Sequence, residues 1–393
     1  AISLAGHLKL NNLILIYDNN NISIDGSTDL AFSDNTNLRF KSVNWEVHSG
    51  KGHDHKNIYK LLKKAQVSKV PCLLNFKTTI GFGSPNKSAK ASSHGSPLGS
   101  DEVKLTRSKL SWNEKPFQIP DKLLKMWRNS PTKNLQIYKK TKSISHTNLS
   151  NKDIDKLFNK IETDLKDFKS DQATRKSSEA ILHYFKKDHP ILGGSADLTG
   201  SNNTKGKEMS VMDSMNTTGQ YIHYGVREHG MAAIMNGIAA TKIYKTYSGT
   251  FLSFADYMKP SLRLAALMKI NPIQVFTHDS IGLGEDGPTH QPIEQINMLR
   301  LIPNSYVFRP CDLKETIVCW REALKINDAP SFICLSRQNL PQISNKKLDS
   351  KKFKGAYVIY GPKINNDITI IATGSEVSLA VNVAVRIRGD GII

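Results

Sequence analysis

A chain of 393 residues is too long for one compact unit; at roughly 150 residues per domain it makes two to three. Hydrophobic residues at 39% supply real cores, which excludes a chain disordered throughout. The net charge of +19 raises nucleic acid or an anionic membrane, but the excess is mostly Lys spread along the chain without interleaved aromatics, and no run of about 18 apolar residues exists, so a solvated basic surface is the better reading.

The chain opens AISLAGHLKL, without Met or a signal-peptide pattern and with apolar residues already at helical spacing, so it is expected to start inside a helix and to be a piece of something longer. Asn11 to Tyr17 reads as a buried strand running into DNNNISIDG. There the Asn20 side chain and the Ile22 carbonyl offer oxygens to a hard cation, although Asn-rich turns are more often only turns. A strand at Trp45 to Val47, a helix at Lys56 to Gln66 and a strand at Val70 to Thr78 give a βαβ rhythm. The Gly/Ser/Pro loop from Thr78 to Gly99 follows, long enough to be functional or simply flexible, with His94 among small residues. Asp101 to Lys169 is Lys-rich without strand patterning and reads as a linker, within which Ile154 to Phe168 forms an amphipathic helix.

A second α/β block starts at Thr174. ILGGSADLT, from Ile191, is a strand entering a Gly-Gly turn; Tyr221 to Tyr224 is another strand, and Arg227 and Glu228 stand at the start of a small-residue helix. Pro272 to Thr277 then leads into HDSIGLGEDGPTHQP, His278 to Pro292. Near neutral pH its two imidazoles can donate to phosphate or carbonyl oxygens, Asp286 can accept from a hydroxyl, and Gly282, Gly284 and Gly287 permit sharp turns beside a ligand. Taken singly, each histidine is more often a surface residue; the contiguous string in a strand-loop-helix setting favours an active-site loop. Strands at Tyr306 to Arg309 and Ser331 to Ser336 flank a helix at Leu313 to Lys325. From about Asn345 the chain is a second polar linker, and DITIIATGSEVSLAVNVAV opens an incomplete third βα unit. The four cysteines have no CxxC spacing, so buried free thiols are expected.

The strings SLAGHLKL, IYDNNNISIDG, TTIGFGSPNK with SHGSPLG, GGSADLT, YGVREHGM, GTFLSFADY, HDSIGLGEDGPTHQP, LSRQNLP and ATGSEVSLA occur in an order that resembles the transketolases. The resemblance implies an α/β fold of consecutive thiamine-diphosphate-binding-type domains, with mostly parallel sheets flanked by helices, plus a truncated third α/β domain. It assigns residues 1–105 to the C-terminal part of a diphosphate-binding domain, 106–169 to a linker, 170–343 to a pyrimidine-binding domain, and 344–393 to a linker and the start of a C-terminal domain. The activity implied is reversible transfer of a two-carbon ketol group from a ketose phosphate to an aldose phosphate via a thiamine diphosphate adduct, in the pentose phosphate pathway. The implied setting is a cytoplasmic homodimer with the site shared between subunits, and no nucleic acid or membrane partner.

The resemblance also carries roles. Glu228 matches the glutamate that hydrogen-bonds the aminopyrimidine, a task that suits a buried carboxyl. Phe251, Phe254 and Tyr257 match an apolar pocket for that ring, and Ile24, His94 and Asp197 match further cofactor contacts. Asn20 and the Ile22 carbonyl match ligands of Mg²⁺ or Ca²⁺. Glu228, His290 and His94 are implied as catalytic. Arg175, Ser201, His278 and Arg337 match the grip on the substrate's terminal phosphate, with Asp286 and His290 on its hydroxyls; guanidinium forks suit phosphate oxygens. The family's aspartate metal ligand and several substrate histidines are expected upstream of Ala1. Alternatives are a truncated, non-catalytic transketolase-like subunit and the related dihydroxyacetone synthase.

Overall fold

The runs ILIY and CLLNF are apolar without alternation, the pattern of parallel strands covered on both faces, and they lie side by side in register, Ile14 opposite Cys72. The structure, a computed structural model, describes residues 1–133, 149–343, 348, 355–361 and 366–389. It divides into two units, Ala1–Lys140 and Thr141–Ile393.

The first unit contains α1 (Ile2–His7), β1 (Ile14–Asn19), α2 (Thr36–Lys41), β2 (Glu46–Lys51), α3 (His55–Ala65), β3 (Cys72–Lys77), α4 (Ser100–Lys109) and α5 (Asp121–Lys133). The sheet is parallel in the order β1-β3-β2. The period of two along β3 divides the core: Leu73 packs with Ala5, Phe40 and Trp45, whereas Cys72, Leu74 and Phe76 pack with Ala65 on the opposite face. Asp54 caps α3, its Oδ1 accepting from Lys56 and Asn57 amides at 3.0 and 3.1 Å. β1 is an edge among the described residues, with Leu15 39% and Ile16 54% exposed.

The second unit runs α6 (Asn151–Asp164), α7 (Thr174–Leu182), β4 (Ile191–Ser195), α8 (Thr199–Asn202), β5 (Tyr221–His223), α9 (Glu228–Ala240), β6 (Lys245–Phe251), α10 (Ala255–Leu267), β7 (Ile273–Thr277), α11 (Gln295–Arg300), β8 (Tyr306–Phe308), α12 (Leu313–Lys325), β9 (Ser331–Leu335) and α13 (Glu376–Gly389). Its six strands are all parallel, in the order β5-β4-β6-β7-β9-β8. The core is centred on Trp320 of α12, whose indole N–H donates to Ser178 Oγ at 2.8 Å amid Phe185, Tyr247 and Ile317.

The helix expected over Ile154 to Phe168 runs instead from Asn151, behind a Ser150/Asp153 capping box, to Asp164. Its apolar face is not a linker's surface. Ile154, Phe158 and Ile161 are fully buried in the Trp320 core, and Lys325 pairs with Asp155 at 2.5 Å. The polar stretch expected from Asn345 lies mostly outside the described residues. Residues 366–373 join no sheet among the described residues, because an apolar run becomes a strand only when another strand shares its ladder. All four cysteines are buried and free; burial pushes the Cys72 thiol up to about 11 and Cys334 to about 12, which keeps both protonated. No helix among the described residues is long and apolar enough to cross a membrane.

The burial of α6 is directly testable. Truncating Phe158 to Ala should cost about 3–5 kcal/mol in urea unfolding followed by tryptophan fluorescence, whereas a solvated linker helix would lose well under 1 kcal/mol.

Candidate functional site

Six parallel strands put all their C-terminal ends on one edge of the sheet, the edge where ligands of open α/β sheets bind. Nearly every residue predicted for the second unit lies in the turns there. Glu228 follows β5, Asp197 and Ser201 follow β4, Phe251 ends β6 with Phe254 just beyond, His278 to His290 follow β7, and Arg337 follows β9.

β7, buried along its whole length, delivers His278 in the left-handed region at φ 58°. A non-glycine residue in that conformation costs of order 1–3 kcal/mol and persists only where neighbours fix it. They do so here. The imidazole lies against Phe251 with centroids 3.7 Å apart, and its Nδ1 bonds Thr277 Oγ1 at 2.9 Å. Thr277 Oγ1 in turn donates to Asn202 Oδ1 at 2.7 Å, and Asn202 Nδ2 donates to Ser195 Oγ at 3.2 Å, which ties the ends of β7 and β4 together. Burial, with the positive charges of Arg175 and Arg337 and then His290, pushes the His278 pKa down to about 3. It is a neutral imidazole at physiological pH.

The two arginines arrive from positions 162 residues apart in the sequence, 337 minus 175. Thr174 and Ser336 exchange hydrogen bonds, amide to Oγ at 3.0 Å and amide to Oγ1 at 2.7 Å, stitching the start of α7 to the end of β9. Arg175 is thereby set beside Arg337. Its Nη1 donates to the Ser201 carbonyl at 2.6 Å, while its Nε is buried with no hydrogen-bond partner among the described residues. Burial first and Arg337 second lower the Arg175 pKa, with Asp286 and Glu179 opposing. Arg337 is held by Glu285, Nη2 to Oε1 at 2.8 Å, and packs closely on Gly284, φ 104°, where a Cβ would stand only 3.1 Å from its Nη1. Two guanidiniums, one of them with an unpartnered Nε–H, and a neutral imidazole form a cradle whose donors suit an anion.

The aromatic set climbs out of this cradle. Phe251 is buried, Phe254 half-buried and stacked on it at 5.6 Å, and Tyr257 is 64% exposed with its ring 6.1 Å from Phe254. Helical spacing therefore serves an opening rather than the core. His290 meets both phenyl rings edge-on, 6.0 Å from Phe251 and 5.3 Å from Phe254, and bonds Thr289 Oγ1 at 2.9 Å through Nδ1. Asp286 is exposed on the same loop. Glu228 is the first residue of α9, which packs on α10; its carboxyl is half-buried in this chain rather than buried. Asp197 stands exposed just past β4, also left-handed at φ 64°.

In the first unit, Asn20 follows the C-terminal end of β1 and its Oδ1 accepts from the Ile22 amide at 2.9 Å, so the turn draws the Asn20 and Ile22 oxygens into one short segment. Ile24 is 73% exposed. A polar cleft of about 390 Å³ adjoins this turn, lined by Asn19, Asn21, Asp29 and Asn75 among others. His94 is exposed and caps a short 3₁₀ turn, Ala91–Ser93. Sequence reasoning missed what shapes its loop. The Glu102 carboxylate accepts from the Ser84 hydroxyl, from the Asn86 amide at 2.8 Å and from Asn86 Nδ2 at 2.9 Å, and Lys87 Nζ donates to the Leu98 carbonyl at 2.8 Å. The bonds from Ser84 and Asn86, the Ser84 hydroxyl's first, hold the Glu102 pKa down to about 2. Asn202 and Thr277 were missed likewise, since isolated Asn and Thr carry no pattern, and nothing in the GEDG string marks Glu285 as the partner of Arg337.

Comparison with known proteins matches residues 1–161 to the family described as transketolase, thiamine diphosphate binding domain, and residues 170–342 to transketolase, pyrimidine binding domain. Transketolase of Sinorhizobium medicae is 41% identical over 99% of this chain, and transketolase 2 of Escherichia coli 42% over 99%. The chain spans 58% and 61% of those two proteins. Among solved structures, Campylobacter jejuni transketolase superposes with a TM-score of 0.88 at 41% identity, over 100% of this chain and 62% of that one. A Pichia stipitis transketolase in complex with sedoheptulose-7-phosphate gives 0.87 at 38%, over 100% and 61%.

The state of His278 carries a sign. Its folded pKa of about 3 lies below the ordinary 6.5, so the stability it contributes is complete above pH 6.5 and is lost as pH falls toward 3. His278→Gln should flatten that limb of the stability–pH curve, and the wild-type imidazole should show no NMR titration between pH 5 and 8.

Proposed function

Because the chain belongs to the transketolase family, we propose that the protein catalyses reversible transfer of a two-carbon ketol group from a ketose phosphate to an aldose phosphate, in the pentose phosphate pathway of the cytoplasm. The observation that carries this reading is the cradle of Arg175 and Arg337 around an unpartnered Nε–H and a neutral His278, which suits a sugar's terminal phosphate. Ser201 borders it, and the chain's positive charge would draw such substrates in.

The residues present fit thiamine diphosphate. The Phe251, Phe254 and Tyr257 ladder offers a planar ring an apolar face that opens outward, and Glu228, at the start of α9, would accept a hydrogen bond from a ring nitrogen. Ile24, His94 and Asp197 would be further contacts. Asn20 and the Ile22 carbonyl would give neutral oxygens to a Mg²⁺ or Ca²⁺ ion on the diphosphate; among the described residues no group of three His, Cys, Asp or Glu side chains could hold a metal by itself. Bound there, the cofactor supplies a carbon nucleophile for the ketol group. The chain's own residues do the rest. His290, oriented by Thr289 and the two phenyl rings, holds or takes the proton of the ketose hydroxyl nearest the reacting carbon, Asp286 accepts from the next hydroxyl, and the cradle fixes the far end. His94 would act beside the transferred carbons.

We read the domains as 1–105 diphosphate-binding, 170–343 pyrimidine-binding and 344–393 the start of a third. A homodimer is proposed, with Glu228 and Asn20 of different copies serving one cofactor. An exposed stripe on α10 and its C-terminal cap, Tyr257, Leu264 and Met268 at spacings of seven and four, supports a helix face made for a partner.

In a coupled assay of the full-length protein with thiamine diphosphate and Mg²⁺, Glu228→Gln should lower kcat by about 10²–10⁴-fold. Arg175→Ala should raise KM for a phosphorylated donor by roughly 10–100-fold, the weight of a charge-assisted hydrogen bond. If the wild-type protein transfers no ketol unit to any aldose phosphate, this reading falls.

A further inference from the structure

Arg309, immediately after β8, is built into two parts of the second unit at once. Its Nε donates to Asp279 Oδ2 at 2.8 Å. From the other edge of the guanidinium, Nη1 donates to the Thr373 carbonyl at 3.0 Å and to the Glu376 carboxylate, and Nη2 to Ser375 Oγ at 3.1 Å. Gly374 completes the seat: at φ +60°, a Cβ there would stand 2.7 Å from Arg309 Cγ and 2.8 Å from Nε, so only glycine lets the turn close over the arginine stem.

Asp279 is the link to the cradle. It is 3% exposed, and its other oxygen, Oδ1, has no hydrogen-bond partner among the described residues, so the carboxylate is held chiefly by Arg309. A buried carboxylate cannot easily leave its cation, and one planar peptide joins it to His278, whose left-handed backbone needs external support. We propose that Arg309, seated on the Thr373–Glu376 turn, is a positioning residue that holds His278 in the anion cradle through Asp279, so that closure of this turn sets affinity for the substrate's terminal phosphate. The proposal rests on the cradle being the phosphate site.

The test uses the full-length holoenzyme and the remote variant Gly374→Ala, which crowds Arg309 without touching the cradle. Arg309→Lys, which keeps the charge but not the fork, is the second variant. KM and kcat are measured for a ketose phosphate and for the same ketose without phosphate, with inorganic phosphate as competitive inhibitor. Both variants should raise KM for the phosphorylated donor, and Ki for phosphate, by about tenfold, as expected for one misplaced hydrogen bond. kcat, and KM for the unphosphorylated ketose, should stay within about twofold, a split that general loosening of the fold would not give. Equal effects on both donors, or none on either, overturn the positioning role while the cradle stands. A wild-type enzyme that does not prefer the phosphorylated donor overturns the cradle reading and this proposal with it.

Discussion

Two guanidiniums held side by side are the constraint around which the second unit is arranged. Burial first, and the charge of Arg337 after it, lower the Arg175 pKa. The arrangement persists because the Thr174–Ser336 exchange, the Arg175–Ser201 bond and the Arg337–Glu285 pair fix both side chains from outside. The neighbouring imidazole remains neutral because it is buried and, after that, because the two guanidiniums put like charge beside it. Such an arrangement is preorganised: contacts within the protein itself set the orientation of both guanidiniums.

The loop after β7 was legible in the sequence because its chemistry is contiguous. His278, Asp286 and His290 lie in one contiguous loop, after an apolar run of strand length. Arg175 and Arg337 belong to the same site but are far apart in sequence, so composition and spacing could not join them and only resemblance suggested it. The pairing of Asp279 with Arg309 was beyond both. Inside a string already assigned to turning and binding, nothing marks one carboxylate as buried.

Element types were readable where apolar runs are continuous, as in β3, β7 and β9, and less so where charge hides a face. α6 carries enough Lys and Asp to resemble a solvated helix, yet three of its residues complete the Trp320 core. Similarly, the segment holding His94 is poor in regular structure by composition. Its shape comes from Glu102, a side chain of the following helix α4. In both cases the deciding contact is long-range, and local propensity is silent about such contacts.

The outer side of β1 has an implication for handling. Leu15 and Ile16 are uncovered on a strand with one ladder partner among the described residues, and the amides and carbonyls along a bare edge favour pairing with whatever extended chain approaches. Isolated at high concentration, the 393-residue polypeptide would therefore be governed by colloidal behaviour as much as by folding, and its abundant lysines would act as gatekeepers against edge-to-edge stacking.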